Sequence, residues 1–136
     1  VRELRELPWR KMKSENGRYQ WADQTVCLRI RGIMGKEQEI RLGNERNALT
    51  IHAREDKVEL SFIGSSGEPA RCGGGRGKRT GRVDAIVREL LVIIDSSIVE
   101  VFVNEGETVF TTRIYLEKTE RELDVSGCGA CEILAI

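Results

Sequence analysis

What this sequence has little of narrows its class before any motif is read. It has no excess of either charge: 22 Lys and Arg stand against 22 Asp and Glu. A chain without net charge exerts no long-range pull on nucleic acid or an anionic membrane, and neither partner is expected. It has no apolar run near the ~18 residues of a membrane span. Its first residues, Val1-Arg2-Glu3-Leu4-Arg5-Glu6-Leu7, are charged throughout and lack the apolar stretch of a secretory signal. It also lacks an initiating Met, which suggests a piece of a longer chain or a processed N-terminus. Histidine occurs once, as His52. A Ser-His-Asp arrangement would need that residue beside an activated Ser, but alternation puts it in the solvent-facing set of its strand. An exposed imidazole is expected. Finally, no segment shows the sustained 3.6-residue period of an amphipathic helix.

What is present is alternation. Val26, Leu28 and Ile30 share one face, with Cys27, Arg29 and Arg31 on the other. Ile40 and Leu42 flank Arg41 in a short strand. Leu49, Ile51 and Ala53 oppose Thr50, His52 and Arg54. Val58, Leu60 and Phe62 oppose Glu59 and Ser61. Period two means strands with one buried face, as in antiparallel sheets. Arg54-Glu55-Asp56-Lys57 reads as a hairpin turn. Residues 90–94 are continuously apolar, which suits a central strand, and residues 123–125 and 131–136 close the chain. Eight or more short strands at regular spacing argue for an all-β sandwich or barrel. A chain of 136 residues is one domain's worth. It buries roughly 68% of its unfolded surface, enough for a core of its own. Residues 64–81 break the rhythm. Their glycine density predicts a loop, because glycine gives up too much backbone entropy to hold a strand.

Several suggestive patterns fall short. Cys128-Gly129-Ala130-Cys131 has C-x-x-C spacing. A zinc site would need Cys27 and Cys72 to converge on it, and neither has a partner nearby in sequence. A redox site would need a helix N-terminus to lower the thiol pKa, but a short apolar strand follows. Ordinary reduced thiols in a cytoplasmic protein are expected, with no metal and no cofactor. Gly77-Lys78-Arg79-Thr80 invites a phosphate-loop reading. However, Cys72 stands where G-x-x-x-x-G-K-S/T needs its first Gly, and Arg79 stands at the Ser/Thr position. G-x-G-x-x-G fails as well, since Gly73 and Gly75 lead to Lys78, and Gly75 and Gly77 lead to Thr80. Arg71, Arg76, Lys78, Arg79 and Arg82 form a local basic cluster, read here as a solvated loop.

The most informative run spans residues 95–114. Residues 98–103 and 109–115 are rich in β-branched and aromatic side chains and read as two strands. Asn104-Glu105-Gly106-Glu107 supplies the turn between them, with Gly106 free to take positive φ. The run closely resembles a signature of glycoside hydrolase family 32, the invertases, sucrose-6-phosphate hydrolases, levanases and fructanases. The matching residues are Asp95, Ser97, Glu100, Phe102, Asn104, Gly106, Phe110, Thr111, Arg113 and Ile114. In that family this signature lies in the C-terminal β-sandwich, after the catalytic five-bladed propeller. Residues 1–7 resemble the segment that joins the two. The resemblance therefore implies a linker over 1–16 and, over 17–136, a two-sheet antiparallel β-sandwich of jelly-roll, concanavalin-like type.

It also implies a parent enzyme that hydrolyses terminal β-fructosides with retention, and a module that packs on the propeller, stabilises it and mediates dimer contacts. The family's catalytic groups sit in W-M-N-D-P-N-G, R-D-P and E-C strings. None occurs here, so no catalytic residue is expected in this chain. Asp95 and Glu100 are two carboxylates at a spacing that tempts a glycosidase reading. Their expected work is structural: Asp95 shaping its turn, Glu100 pairing with a neighbouring cation such as Arg113. The chain has only two Trp, two Tyr and three Phe. Trp9, Tyr19 and Trp21 are candidates for contact with a sugar or with the propeller. The basic cluster is a candidate anion contact to the parent's body. Two rival functions remain: a carbohydrate-binding module for fructans or sucrose-type sugars, and a stand-alone interaction domain.

Overall fold

A computed structural model describes residues 10–11, 17–44, 47–64, 78–128 and 131–135. Trp9, Arg71, Cys72, Arg76 and most of the expected linker and glycine-rich loop lie outside these residues.

Among the described residues twelve strands run in chain order: β1 (Arg10–Lys11), β2 (Arg18–Gln20), β3 (Val26–Ile30), β4 (Gln38–Gly43), β5 (Asn47–Arg54), β6 (Lys57–Gly64), β7 (Lys78–Arg82), β8 (Leu90–Asp95), β9 (Ile98–Val103), β10 (Thr108–Arg113), β11 (Glu122–Gly127) and β12 (Cys131–Ala135). They form two six-stranded sheets. Sheet A has the order β1-β12-β3-β8-β9-β10 and sheet B the order β2-β11-β4-β5-β6-β7. Every pairing is antiparallel. The protein is thus an all-β sandwich, as the alternation and the resemblance implied. Arg10–Lys11, inside the stretch read as linker, pairs with β12.

The alternating residues supply the core. Val26, Leu28 and Ile30 from β3 meet Leu49, Ile51 and Ala53 from β5, all buried. Val99, Val101 and Val103 of β9 are fully buried in the same cluster. At about 25 cal/mol per Å² of apolar surface removed from water, this cluster is the main source of stability. Strand β8 is apolar and buried from Leu90 to Ile94 and ends on the exposed Asp95. Leu90, Val92 and Ile94 enter the inter-sheet core. Leu91 and Ile93 join Cys27, with Phe102 and Leu134 packed against them, in a second cluster on the outer face of sheet A.

One expectation is corrected. Residues 78–81, expected within the glycine-rich loop, form edge strand β7 together with Arg82, paired with β6 from Lys57↔Arg82 to Ser61↔Lys78. Its side chains are mostly exposed, so no apolar alternation marks it. Besides this ladder, sheet A holds it from across the sandwich. Arg79 Nη1 donates to the Thr111 carbonyl across the gap at 2.8 Å. Thr108 Oγ1 donates to the Arg82 carbonyl at 2.8 Å. The Phe110 ring lies against Gly81, where an added Cβ would come within 2.6 Å of Cζ. The two edge strands β7 and β10 therefore seal one side of the sandwich.

Candidate functional site

The signature residues sit on the β8–β9–β10 meander but do not converge on one point. At one end of it, the Asp95 carboxylate accepts from Thr25 Oγ1 at 3.2 Å, tying β8 to the start of β3. Expected to shape its own turn, Asp95 instead makes a contact across the sheet. Ser97 Oγ accepts from Arg113 Nη1 at 3.1 Å, and the Ser97 carbonyl accepts from Ile114 N–H at 2.8 Å. Glu100 lies between Ile93 and Thr111 in the ladder register, whereas Arg113 stands opposite Ile98. Phe102 packs on the outer apolar cluster.

At the other end, Asn104 is buried and both its amide oxygen and its amide nitrogen are hydrogen-bonded. Its Oδ1 accepts from Arg88 N–H at 2.7 Å and Glu89 N–H at 3.1 Å. Its Nδ2 donates to the Ile86 carbonyl at 2.9 Å. A single side chain thus pins the irregular stretch 86–89 to the β9–β10 turn. That turn runs through three consecutive left-handed residues, Asn104 (φ 50), Glu105 (φ 60) and Gly106 (φ 101). Gly106 takes the positive φ that its place in the turn implied, and Asn tolerates the region better than most residues.

The remaining candidates separate. Tyr19 is partly buried and packs on the main core. Trp21, 8% exposed, is a core residue rather than part of an open aromatic patch. His52 Nε2 lies 3.1 Å from a Glu37 carboxylate oxygen. Lys78 pairs with Glu59 at 2.9 Å and Arg82 with Asp56 at 3.2 Å, so this part of the basic cluster is neutralised locally. The Lys78 contact holds the Glu59 carboxyl below its ordinary value, with Lys57 adding to it.

At the described cysteines burial disfavours the thiolate. Cys27, Cys128 and Cys131 are free. Burial pushes Cys128 up to about 12, with Cys131 adding to the shift. Burial raises Cys27 and Cys131 as well. The thiolate is the reactive and ligating form. Among the described residues no group of His, Cys, Asp and Glu is arranged to hold a metal ion.

Sequence reasoning missed one feature. An open cavity of about 250 Å³ lies at the Ser97 end of the meander. Trp21, Ser96, Tyr115, Glu117 and Arg121 contribute to its lining. These residues come from four separate stretches of the chain, and no local pattern joins them. Among the described residues Glu117 is the one carboxylate of the lining.

Comparison with known proteins agrees with this geometry. The family model described as "Glycosyl hydrolases family 32 C terminal" matches residues 22–132. A sucrose-6-phosphate hydrolase of Escherichia coli is 53% identical over 45 residues, which are 33% of this chain and 9% of that protein. The structure of a sucrose-6-phosphate hydrolase from Lactobacillus gasseri superposes with a TM-score of 0.63 at 18% identity, covering 93% of this chain and 26% of that one. A Bombyx mori GH32 beta-fructofuranosidase gives 0.64 at 18% identity, covering 99% and 27%. At that identity the two structures establish likeness of fold alone. The chain spans only these fractions of the relatives it matches.

Proposed function

Because the chain belongs to the family of C-terminal domains of glycoside hydrolase family 32, we propose that it is the non-catalytic β-sandwich module of a cytoplasmic β-fructosidase. In this reading the parent is of sucrose-6-phosphate hydrolase or invertase type, and the module packs on a catalytic propeller and stabilises it. The observation that carries the reading is the outer face of sheet A. The free face of an antiparallel sheet is ordinarily polar. Here it bears Cys27, Leu91 and Ile93, with Phe102 and Leu134 half-buried against them. Arg29, Glu100 and Glu132 surround this patch in the ladder register. An apolar centre with a charged rim is the anatomy of a protein interface. This face replaces Trp21 as the docking candidate, since Trp21 is spent in the core. Strand β1 lies at an edge of the same sheet, so the N-terminal approach to the domain is on that sheet.

The absence of the three catalytic strings supports a chain that does not hydrolyse fructosides by itself. The free thiols favour a reducing compartment. The test is to add the purified chain to a family 32 catalytic propeller produced without its own sandwich. The chain should bind it and lengthen its thermal inactivation half-life, and Phe102→Asp should remove both effects. Failure of the wild-type chain to bind, or an undiminished effect from Phe102→Asp, would sink the reading.

A further inference from the structure

The loops at the Asn104 end of the sandwich are knitted into one surface. Ile33 N–H donates to the Arg88 carbonyl and Gly35 N–H to the Val87 carbonyl, both at 2.9 Å. Glu55 N–H donates to the Gly35 carbonyl at 2.9 Å, and Val87 N–H to the Glu55 carbonyl at 2.7 Å. Asn104 adds its side-chain bonds to 86, 88 and 89. The connection between β3 and β4 is thereby held on both sides, and Ile33 roots it in the core. Binding residues are disproportionately carried on loops fixed to a rigid scaffold.

Met34 stands out from that connection and costs the free chain twice. Its side chain is 63% exposed, the most open of the large apolar residues described. Its backbone is left-handed at φ 52, a region that asparagine tolerates and that is uncommon for an apolar residue. Among the described residues, four of the five non-glycine residues with left-handed φ lie at this end: Met34, Glu55, Asn104 and Glu105. Backbone strain of this kind persists where the surroundings impose it, and it clusters at binding sites. Neither the strain nor the exposure returns stability to the free chain. A methionine's unbranched, polarizable side chain adapts well to a socket on a protein surface.

Charge narrows the kind of partner. Arg31, Lys36, Arg54 and Arg88 are exposed, and none forms an ion pair with a described residue. By contrast Arg18, Arg41, Lys57, Lys78, Arg82 and Arg121 each lie beside a carboxylate. Around Met34 the four free cations face two carboxylates, Glu55 and Glu89, since Glu37 already lies 3.1 Å from His52 Nε2. The far side of the same end is acidic, with Asp84, Glu105 and Glu107 exposed. An extended polyanion would be repelled there, whereas a folded protein can present carboxylates to the Met34 side alone. Position says which protein. Arg31 follows Arg29, on the rim of the apolar outer face of sheet A, by two positions, and Arg88 precedes Leu91 of that face by three. The Met34 side is therefore continuous with the face assigned above to the propeller. We infer that Met34 is an anchor that enters an apolar socket on the catalytic propeller, while Arg31, Lys36 and Arg88 meet carboxylates at the socket's edge. This rests on the reading that the module packs on a propeller, and it adds a contact outside the apolar face.

The experiment is calorimetric titration of the chain into a family 32 catalytic propeller produced without its own sandwich, at low and high salt. Met34→Asn keeps a residue that tolerates the left-handed turn and removes the anchor. It should weaken binding about tenfold or more, as loss of a central interface side chain does. The melting temperature of the free variant should be unchanged or higher. Met34→Leu should retain most of the affinity. Arg31→Glu combined with Lys36→Glu should weaken binding, and more so at low salt, where exposed charges are least screened. Wild-type binding that Phe102→Asp breaks but Met34→Asn leaves intact would overturn the anchor and spare the docking of the module. A lowered melting temperature in Met34→Asn would overturn it too, because the residue would then serve the fold. So would charge reversal that leaves the affinity unchanged at low salt. No binding by the wild-type chain would overturn the docking itself, and the anchor with it.

Discussion

Asn104 shows how much one residue can hold where the described residues form no α-helix. Its three side-chain hydrogen bonds satisfy backbone groups of residues 86–89 that no strand ladder reaches. Truncating it strands two N–H groups and a carbonyl in a partly buried place, each costing about 1 kcal/mol or more. Asn104→Ala should therefore destabilise the chain by about 2–4 kcal/mol in urea unfolding, whereas Glu105→Ala in the same turn should stay within about 0.5 kcal/mol. Equal effects would show that the amide is not the anchor. Asp124 is a second residue whose work is electrostatic. Burial pushes its carboxyl up, but hydrogen bonds from the Ser126 hydroxyl and N–H outweigh that, and Arg41 and Arg18 add to the lowering. Its folded pKa lies below its unfolded one. The stabilisation is therefore present above the ordinary carboxylate value near 4 and is lost as pH falls through the depressed value. Acid unfolding monitored by circular dichroism should be shallower in Asp124→Asn below about pH 4. At this scale the sequence was legible where a residue acts on its own neighbours, as at Gly106. It was not legible where the partner is remote, as for Asp95 with Thr25, seventy positions away.

At the scale of elements, legibility followed apolar alternation. Strands β3, β5, β6 and β9 have one buried face and could be read directly. Strand β7 could not, because Lys78-Arg79-Thr80-Gly81-Arg82 contributes no side chain to a core. Its glycine, the reason for reading a loop, is what lets the strand form where it does. Gly81 leaves room for the Phe110 ring, and the Arg79 guanidinium lies 5.9 Å from that ring's centre. A methyl group at position 81 has to displace either the ring or the strand. Gly81→Ala should cost about 1–3 kcal/mol by overpacking. Phe110→Leu should cost a similar amount by leaving a cavity. The double variant should be less destabilised than the sum of the two, because the smaller side chain makes room for the methyl. Strict additivity in chemical denaturation would mean that ring and glycine do not compete for the same space.

At the scale of the whole molecule, the sequence indicated two sheets but not which strands share one. Sheet A depends on β3 pairing with β8, from Val26↔Ile94 to Ile30↔Leu90, sixty or more positions apart. Nothing local encodes that register. It follows from burying every alternate face at once. The same long-range assembly decides which apolar side chains face outward from the sandwich. Trp21, an aromatic residue near the N-terminus, is buried in the core, and the apolar outer face falls on β3, β8, β9 and β12. That placement makes a prediction about the chain alone. Large exposed apolar patches are rare on free domains, and a self-complementary face can be covered by a second copy through two-fold pairing. The purified chain should sediment as a monomer when dilute and shift towards dimer as concentration rises. Phe102→Asp should hold it monomeric, because two carboxylates would be brought together in a desolvated interface. Trp21→Phe, which changes the core rather than the outer face, should leave the association constant unchanged. A concentration-independent monomer, or a dimer that ignores Phe102→Asp, would mean that the charged rim of Arg29, Glu100 and Glu132 is enough to keep this face in water.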